Sequence, residues 1–342
     1  MNISPMMKVA QVLRPGAASF DLREVPTPAP GLGQILIRVE SCGVNFSDVK
    51  RRRGDAYPFE TTFPFVPGAE VAGEVAALGA GVDGPPVGTP VFALAGAGGV
   101  GGYAQYALSY AHTVIPIPQG LSHDVASILM VAGSTAHLLL HEVACLRKGE
   151  SVLIPAAAGG VGSFALQLAR QAEAGKIIAV VGDASKVGRA LELGAHEVVV
   201  CSASTWPEDV RKRTDGKGVD MALEASGGEA LEQTFRCLAS FGRLVVYGAA
   251  SGVSASLSAN TMKGFLYDPA PNQTLISFNL GGWFMERPRV AQASLTALIA
   301  AILSRHIEAP PIAILPLEQA AHAHKLLESR KTIGKLVIKP WA

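Results

Sequence analysis

The chain has 342 residues, 49% of them hydrophobic, and a formal net charge of +1. That length supports two domains with a large core, and the near-neutral charge excludes electrostatic capture of nucleic acid or an anionic membrane. No run of about 18 apolar residues occurs, which excludes a membrane-spanning helix. Met1 to Pro5 lacks the basic and apolar regions of a secretory leader, and four scattered cysteines (Cys42, Cys145, Cys201, Cys237) form no disulfide framework. These features predict buried thiols in a reducing cytoplasm.

From the N-terminus to about residue 125 the chain is rich in Gly, Pro and alternating segments such as Gly33 to Glu40 and Glu70 to Val75. That pattern predicts an irregular antiparallel β domain. From about residue 126 apolar strands alternate with helices. Strands are expected at 151–155, 177–181, 197–201, 219–224, 243–248 and 274–280, with helices including 184–193 and 229–239 between them. Six strands with crossover helices predict a doubly wound parallel sheet, an α/β dinucleotide domain. A helix from Arg289 to Ser304, a second from Pro316 to Ser329 and a strand from Ile333 to Lys339 lack a core of their own and are expected to return to the first domain.

Two glycine loops compete for the cofactor. Gly96-Ala97-Gly98-Gly99-Val100-Gly101 matches G-x-G-x-x-G, yet the residues after it alternate like a strand and offer no helix N-terminus. Ala157-Ala158-Gly159-Gly160-Val161-Gly162 replaces the first glycine by Ala157, but lies between the apolar strand 151–155 and a helical segment from Ser163. That βαβ context selects the second loop. Gly159 would admit the pyrophosphate, Gly162 would allow close helix–strand packing, and Ala157 suffices if its position needs no positive φ. The second strand ends Val181-Gly182-Asp183-Ala184-Ser185-Lys186. Gly182 leaves room for a 2′-phosphate, and Ser185 and Lys186 can bond and neutralise it. Asp183 argues the other way, so NADP(H) is favoured and NAD(H) remains compatible.

No metal site is expected. His137 and His141 lie on a helical stretch with Glu142, but Cys145 stands where H-E-x-x-H needs its second histidine, and no C-x₂-C pair exists. His322 and His324 lie two apart, on different sides of a helix. Asn45, Asp48, Tyr57 and Thr135 are the polar residues in otherwise apolar stretches, read either as site residues or as local caps. The basic run Lys50 to Arg53 is read as a solvated face, with attraction of an anionic substrate as its alternative.

Six segments in order resemble the zinc-free quinone oxidoreductase branch of the medium-chain dehydrogenase/reductase superfamily. They are Gly43-Val44-Asn45-Phe46-Ser47-Asp48, Pro67-Gly68-Ala69-Glu70-Val71-Ala72-Gly73, Gly133-Ser134-Thr135-Ala136, Ala156 to Gly162, Gly242 to Gly248 and Arg330 to Lys335. Asn45 stands where zinc-dependent alcohol dehydrogenases carry a zinc-binding Cys, and Gly68-Ala69-Glu70 replaces their G-H-E. The resemblance implies a Rossmann cofactor domain at 126–287 and a GroES-like catalytic domain at 1–125 and 288–342. It implies Asn45 and Thr135 near the nicotinamide, with Gly159, Gly160, Val161 and Gly162 at the pyrophosphate. It further implies Gly182, Ser185 and Lys186 at the adenosine phosphate, and Ser226, Gly248 and Ala249 along the ribose and nicotinamide. Phe278, Asn279 and Leu280 resemble the segment at the last strand, and Lys335 is a further cofactor contact.

The expected activity is NADPH-dependent hydride transfer, without zinc, to a quinone or an α,β-unsaturated carbonyl in the interdomain cleft, with Asn45 and Tyr57 polarising its oxygen. An enoyl thioester reductase using Tyr57 as proton donor is the enzymatic alternative; there Tyr57 lies one residue further along than the related N-x-x-D…G-x-Y pattern. A cofactor-binding structural protein of the zeta-crystallin type is the non-enzymatic alternative. The family also implies a homodimer paired through the strand near 274–280.

Overall fold

A computed structural model describes residues 3–201, 205–252 and 256–342. The chain divides into two compact units, Met1–Val131 with Pro311–Ala342, and Ala132–Pro310.

The first unit is built on a mixed sheet. Its strands run in the order Ile312–Pro316, Lys335–Lys339, Gln34–Gly43, Glu70–Leu78, Pro90–Leu94 and Ile115–Pro116, and Tyr106–Tyr110 pairs with the other half of Gln34–Gly43. Inward residues Ile35, Ile37, Val39, Val71, Val75 and Ile338 form its core, as alternating strand patterns require. A bulge between Val39 and Ser41 brings the backbone close to the facing strand: a Cβ on Gly73 would sit 1.9 Å from the Arg38 carbonyl oxygen. The C-terminal strand docks antiparallel on Gln34–Gly43, with Val337 opposite Gly43, and so carries Lys335 to the start of the helix Phe46–Arg53.

The second unit holds a six-stranded, wholly parallel sheet. Its order is Glu197–Val200, Lys176–Val181, Ser151–Pro155, Val219–Glu224, Leu238–Val246 and Thr274–Ser277, which is third, second, first, fourth, fifth, sixth along the chain. That is the expected doubly wound order. Leu153, Ile178, Val180, Trp206, Ala222, Phe235 and Leu244 pack into its core. The 3.6-residue spacing of Phe164, Ala165 and Leu168 buries one face of the helix Gly160–Gln171.

Several expectations change; the expected helix 229–239 stops at Phe235, and the strand expected from 243 begins at Leu238. The helix Pro288–Leu303 groups with the second unit instead of returning to the first, because its buried face, Ala291, Ser294, Leu295 and Leu298, packs there and Ser294 Oγ bonds His137 Nδ1 at 2.8 Å. The last parallel strand ends at Ser277, since Asn279 caps a new helix, Leu280–Glu286, by accepting from the Gly282 N–H. Cys42 and Cys237 are buried as expected, but Cys145 and Cys201 are exposed.

Candidate active site

The imperfect glycine loop meets the demands of a phosphate cradle. Ser151–Pro155 ends on Ala156, whose φ is +49°, so the strained turn falls one residue before Ala157, which is absent from the positive-φ positions. Gly159 caps the helix Gly160–Gln171 in extended geometry. The N–H groups of Gly160, Val161 and Gly162 therefore open the helix without intrahelical acceptors. A Cβ on Gly162 would lie 2.5 Å from the Ala156 carbonyl oxygen and 2.6 Å from the Ala157 Cα, so only glycine permits this helix to lie so close to its strand.

At the end of the second strand, a Cβ on Gly182 would meet nothing within 4 Å. Asp183 turns its carboxylate back to accept the Ser185 N–H at 2.8 Å, capping the short turn Ala184–Lys186. Lys186 is buried; desolvation lowers its pKa while Asp183 opposes that shift.

Further along the sheet, buried Glu224 accepts from the N–H groups of Ser226 and Gly227 and from Thr234 Oγ1, and burial raises its pKa. The segment around Gly248 and Ala249 docks on this turn through Tyr247 N–H to Glu224 O and Ala250 N–H to Ala225 O, both 2.8 Å. Phe278 N–H bonds Val246 O at 2.9 Å, and Phe278 stacks on Trp283. Asn279 and Leu280 open the following helix. Thr135 is buried in the short helix Ser134–Leu138, which π-helical turns flank on both sides. His137 and His141 lie ring to ring at 4.4 Å, and burial lowers the pKa of His137 to about 4.

The strict glycine loop, in the first unit, is a closed turn. The N–H groups of Gly96, Val100, Gly101 and Gly102 donate to Leu108, Ala95, Val66 and Gly68. The Arg51 guanidinium takes the carbonyls of Gly98 at 2.8 Å and Gly99 at 3.3 Å. No helix opens from this turn, since the next element is the strand Tyr106–Tyr110, so it lacks the helix-start N–H array of a phosphate cradle.

The same unit gathers Asn45, Asp48, Glu70 and Lys335. Lys335 Nζ donates to Val44 O at 2.9 Å, Asn45 Oδ1 at 2.7 Å and Glu70 Oε1 at 3.3 Å. Asn45 Nδ2 donates to Glu70 Oε1 at 2.9 Å and Gly43 O at 3.3 Å, and Glu70 Oε2 accepts the Val131 N–H. Glu70 and Lys335 are 0% and 5% exposed, so this ion pair survives burial only because hydrogen bonds saturate both ends. Asp48 accepts the N–H groups of Asn45 and Gly68 at 2.8 and 3.0 Å. Burial outweighs those bonds and pushes its carboxyl up to about 6. Tyr57 is half-buried beside Ser47, Asp48 and Arg51, and desolvation raises its phenol pKa. The guanidinium of Arg51 lies 5.2 Å from the Tyr57 ring centre.

The run Lys50 to Arg53 is neither a solvated face nor free to draw an anion. Arg51 and Arg52 are buried, with Arg52 bonded to His324 Nδ1, Ala17 O and Glu328. Arg53 shares Glu328. Glu70, Arg51, Tyr103 and His324 were not singled out as site residues by sequence. Each makes its contacts far along the chain, and only Glu70 carried a hint, as a carboxylate inside an apolar strand.

A doubly wound sheet with a glycine-cradled helix start, joined to a separate β unit, defines the class of two-domain NAD(P)-dependent dehydrogenases and reductases. Residues 160–286 match the zinc-binding dehydrogenase family model and residues 31–119 the alcohol dehydrogenase GroES-like domain. The chain is 33% identical to a 2-haloacrylate reductase of Burkholderia sp., over 96% of this chain and 97% of that one. It is 32% identical to a quinone oxidoreductase of Pseudomonas aeruginosa, over 95% and 97%. The structure of the Escherichia coli quinone oxidoreductase complexed with NADPH superimposes with a TM-score of 0.86 at 26% identity, covering 98% of this chain and 99% of that one. The chain belongs to the medium-chain dehydrogenase/reductase superfamily, in its quinone oxidoreductase branch. No helix among the described residues is long and apolar enough to cross a membrane.

Proposed function

We propose that the protein is an NADPH-dependent, zinc-independent reductase of a quinone or an α,β-unsaturated carbonyl. The observation that carries this reading is the cradle at Gly159 to Gly162, whose glycine packing leaves three helix-start N–H groups for a pyrophosphate. The bound nicotinamide supplies the hydride. The chain's own residues bind and orient: the open space at Gly182 and the cation of Lys186 suit a 2′-phosphate, and Asp183 is turned onto Ser185. Ser226, Gly248, Ala249, Thr135 and the Phe278-Asn279-Leu280 segment line the rest of the cofactor in this reading.

The acceptor oxygen takes its hydrogen bond from Tyr57. Asn45 was an equal candidate by sequence, but both its amide donors are spent on Glu70 and Gly43, so it serves as a fixed wall. Lys335 supports that wall from behind. Zinc independence is supported by the donor set: the ammonium of Lys335 occupies Asn45 Oδ1 and Glu70 Oε1, the oxygens a cation would need. For a conjugated acceptor, Tyr57 would also deliver the proton to the α-carbon, a role favoured by a phenol that burial keeps protonated. The outermost strand, Thr274–Ser277, with Leu275 44% exposed, supports a homodimer paired at that edge.

NADPH oxidation against quinones, enals, 2-haloacrylate and enoyl thioesters tests the reading. Turnover of at least one class is expected, with Tyr57→Phe lowering reduction of conjugated acceptors much more than of quinones. Tight NADPH binding with no turnover would favour the structural, zeta-crystallin type of role. Lys186→Ala is expected to weaken NADPH about tenfold, the worth of one charge-assisted bond, while leaving NADH nearly unchanged. Equal losses for both cofactors would remove Lys186 from the 2′-phosphate.

A further inference from the structure

The second unit carries a pair of histidines that the reaction as proposed does not use. His137 lies in the helix Ser134–Leu138, and His141 in the π-helical turn Leu139–Val143 that continues it. Their rings lie 4.4 Å apart, centre to centre, inclined at 49°. Two histidines four residues apart on one helix face can reach a single metal ion. The π turn is a local departure from α geometry of the kind that recurs at functional sites.

The ring nitrogens divide their tasks. Ser294 Oγ, on the helix Pro288–Leu303, bonds His137 Nδ1 at 2.8 Å and leaves Nε2 as the atom able to act as a ligand. Coordination through Nε2 requires the ring proton on Nδ1, and Ser294, 3% exposed, is placed to accept it. Among the described residues no hydrogen bond reaches His137 Nε2 or either nitrogen of His141, and none of these three atoms is sealed from water. Burial of the two rings lowers both pKa values, so both are neutral at physiological pH, the form that binds metal.

The ring separation selects the kind of ion. With about 2.1 Å from metal to nitrogen and about 1.1 Å from nitrogen to ring centre, two imidazoles at a right-angled bite have centres about 4.5 Å apart; a tetrahedral bite needs about 5.2 Å. The observed 4.4 Å fits the right angle, which square-planar and octahedral ions offer. The surrounding charge suits a cation. Glu142 favours positive charge on His141. It also borders a cleft of about 470 Å³ in which Glu142 and Glu286 face one guanidinium, that of Arg287.

We propose that His137 and His141 form a two-imidazole site for a divalent transition-metal ion of the Ni²⁺ or Cu²⁺ type, separate from hydride transfer. Among the described residues no group of three or more His, Cys, Asp or Glu could hold a metal, so water completes the coordination and the ion exchanges freely. A bound ion clips the helix Ser134–Leu138 to the π turn and, through Ser294, to the helix Pro288–Leu303. It therefore stabilises the folded second unit.

The test is calorimetric titration of the untagged, cofactor-free protein with Ni²⁺ at pH 7.5, paired with thermal unfolding with and without the ion. One ion per chain and a raised Tm are expected. H141N should weaken binding at least about tenfold, the scale on which even changes behind a metal ligand act, and should abolish the rise in Tm. H137N should do the same. H306N, which removes an exposed histidine elsewhere in the unit, should change neither. If H137N does not fold, H141N decides, since His141 makes no hydrogen bond whose loss would unfold the chain. No binding by the natural protein, or affinity in H141N within a factor of three of it, overturns the proposal and leaves the rings as packing alone. No turnover is measured, so the result is independent of the activity proposed above.

Discussion

The protein contains two glycine turns of nearly the same lettering, and they do opposite things with their backbone. At 96–101 the N–H groups of Gly96, Val100 and Gly101 point into neighbouring carbonyls and a buried arginine gathers the carbonyls of Gly98 and Gly99. At 157–162 the glycines allow a helix to begin against a strand, and its first N–H groups remain without intrahelical acceptors. Spacing of glycines thus sets what the backbone can do, while the element that follows decides whether its donors are spent or offered.

The comparison breaks most visibly at Gly162. Gly162→Ala puts a methyl 2.5 Å from a backbone oxygen that cannot swing aside. We expect NADPH affinity to fall at least ~100-fold, about 2.7 kcal/mol, in a fluorescence titration. An affinity within a factor of three of the natural protein would show that the loop is not the cradle. Arg51→Met attacks the closed turn instead. It removes bonds to Gly98, Gly99, Glu60 and Thr61. The expected loss is roughly 3 kcal/mol of stability by urea unfolding, with NADPH affinity unchanged. A parallel loss of affinity in folded protein would mean that the two turns are not independent. The smallest effect belongs to Ala157→Gly. Ala157 has no positive φ to relieve and is fully buried, so glycine should lower stability by about 1 kcal/mol or less and leave affinity alone. Tighter NADPH binding would instead mark the alanine as a real defect of the fingerprint.

The sheet of the second unit was legible because its strands are short apolar runs punctuated by glycine, as in Ser151–Pro155 and Lys176–Val181. Helices such as Phe46–Arg53 and Leu280–Glu286 were not, since one is dominated by charge and the other carries paired glycines. For the candidate site, the strand–loop–helix setting of residues 157–162 was readable from local context. The polar cluster was not: Asn45, Glu70 and Lys335 meet across up to 290 positions of chain, and no local pattern reports such a meeting. The basic run misled for the same reason, because the acceptors of Arg51 and Arg52 lie on distant segments.

The docking of Lys335–Lys339 on Gln34–Gly43 has a consequence for the order in which the protein is made. The second unit is one unbroken stretch, Ala132–Pro310, and can consolidate as soon as it leaves the ribosome. The first unit is begun earlier yet must wait, because its strands Ile312–Pro316 and Lys335–Lys339, and the Lys335 that pairs with Glu70, are synthesised last. Folding of the part that is translated first is therefore completed last.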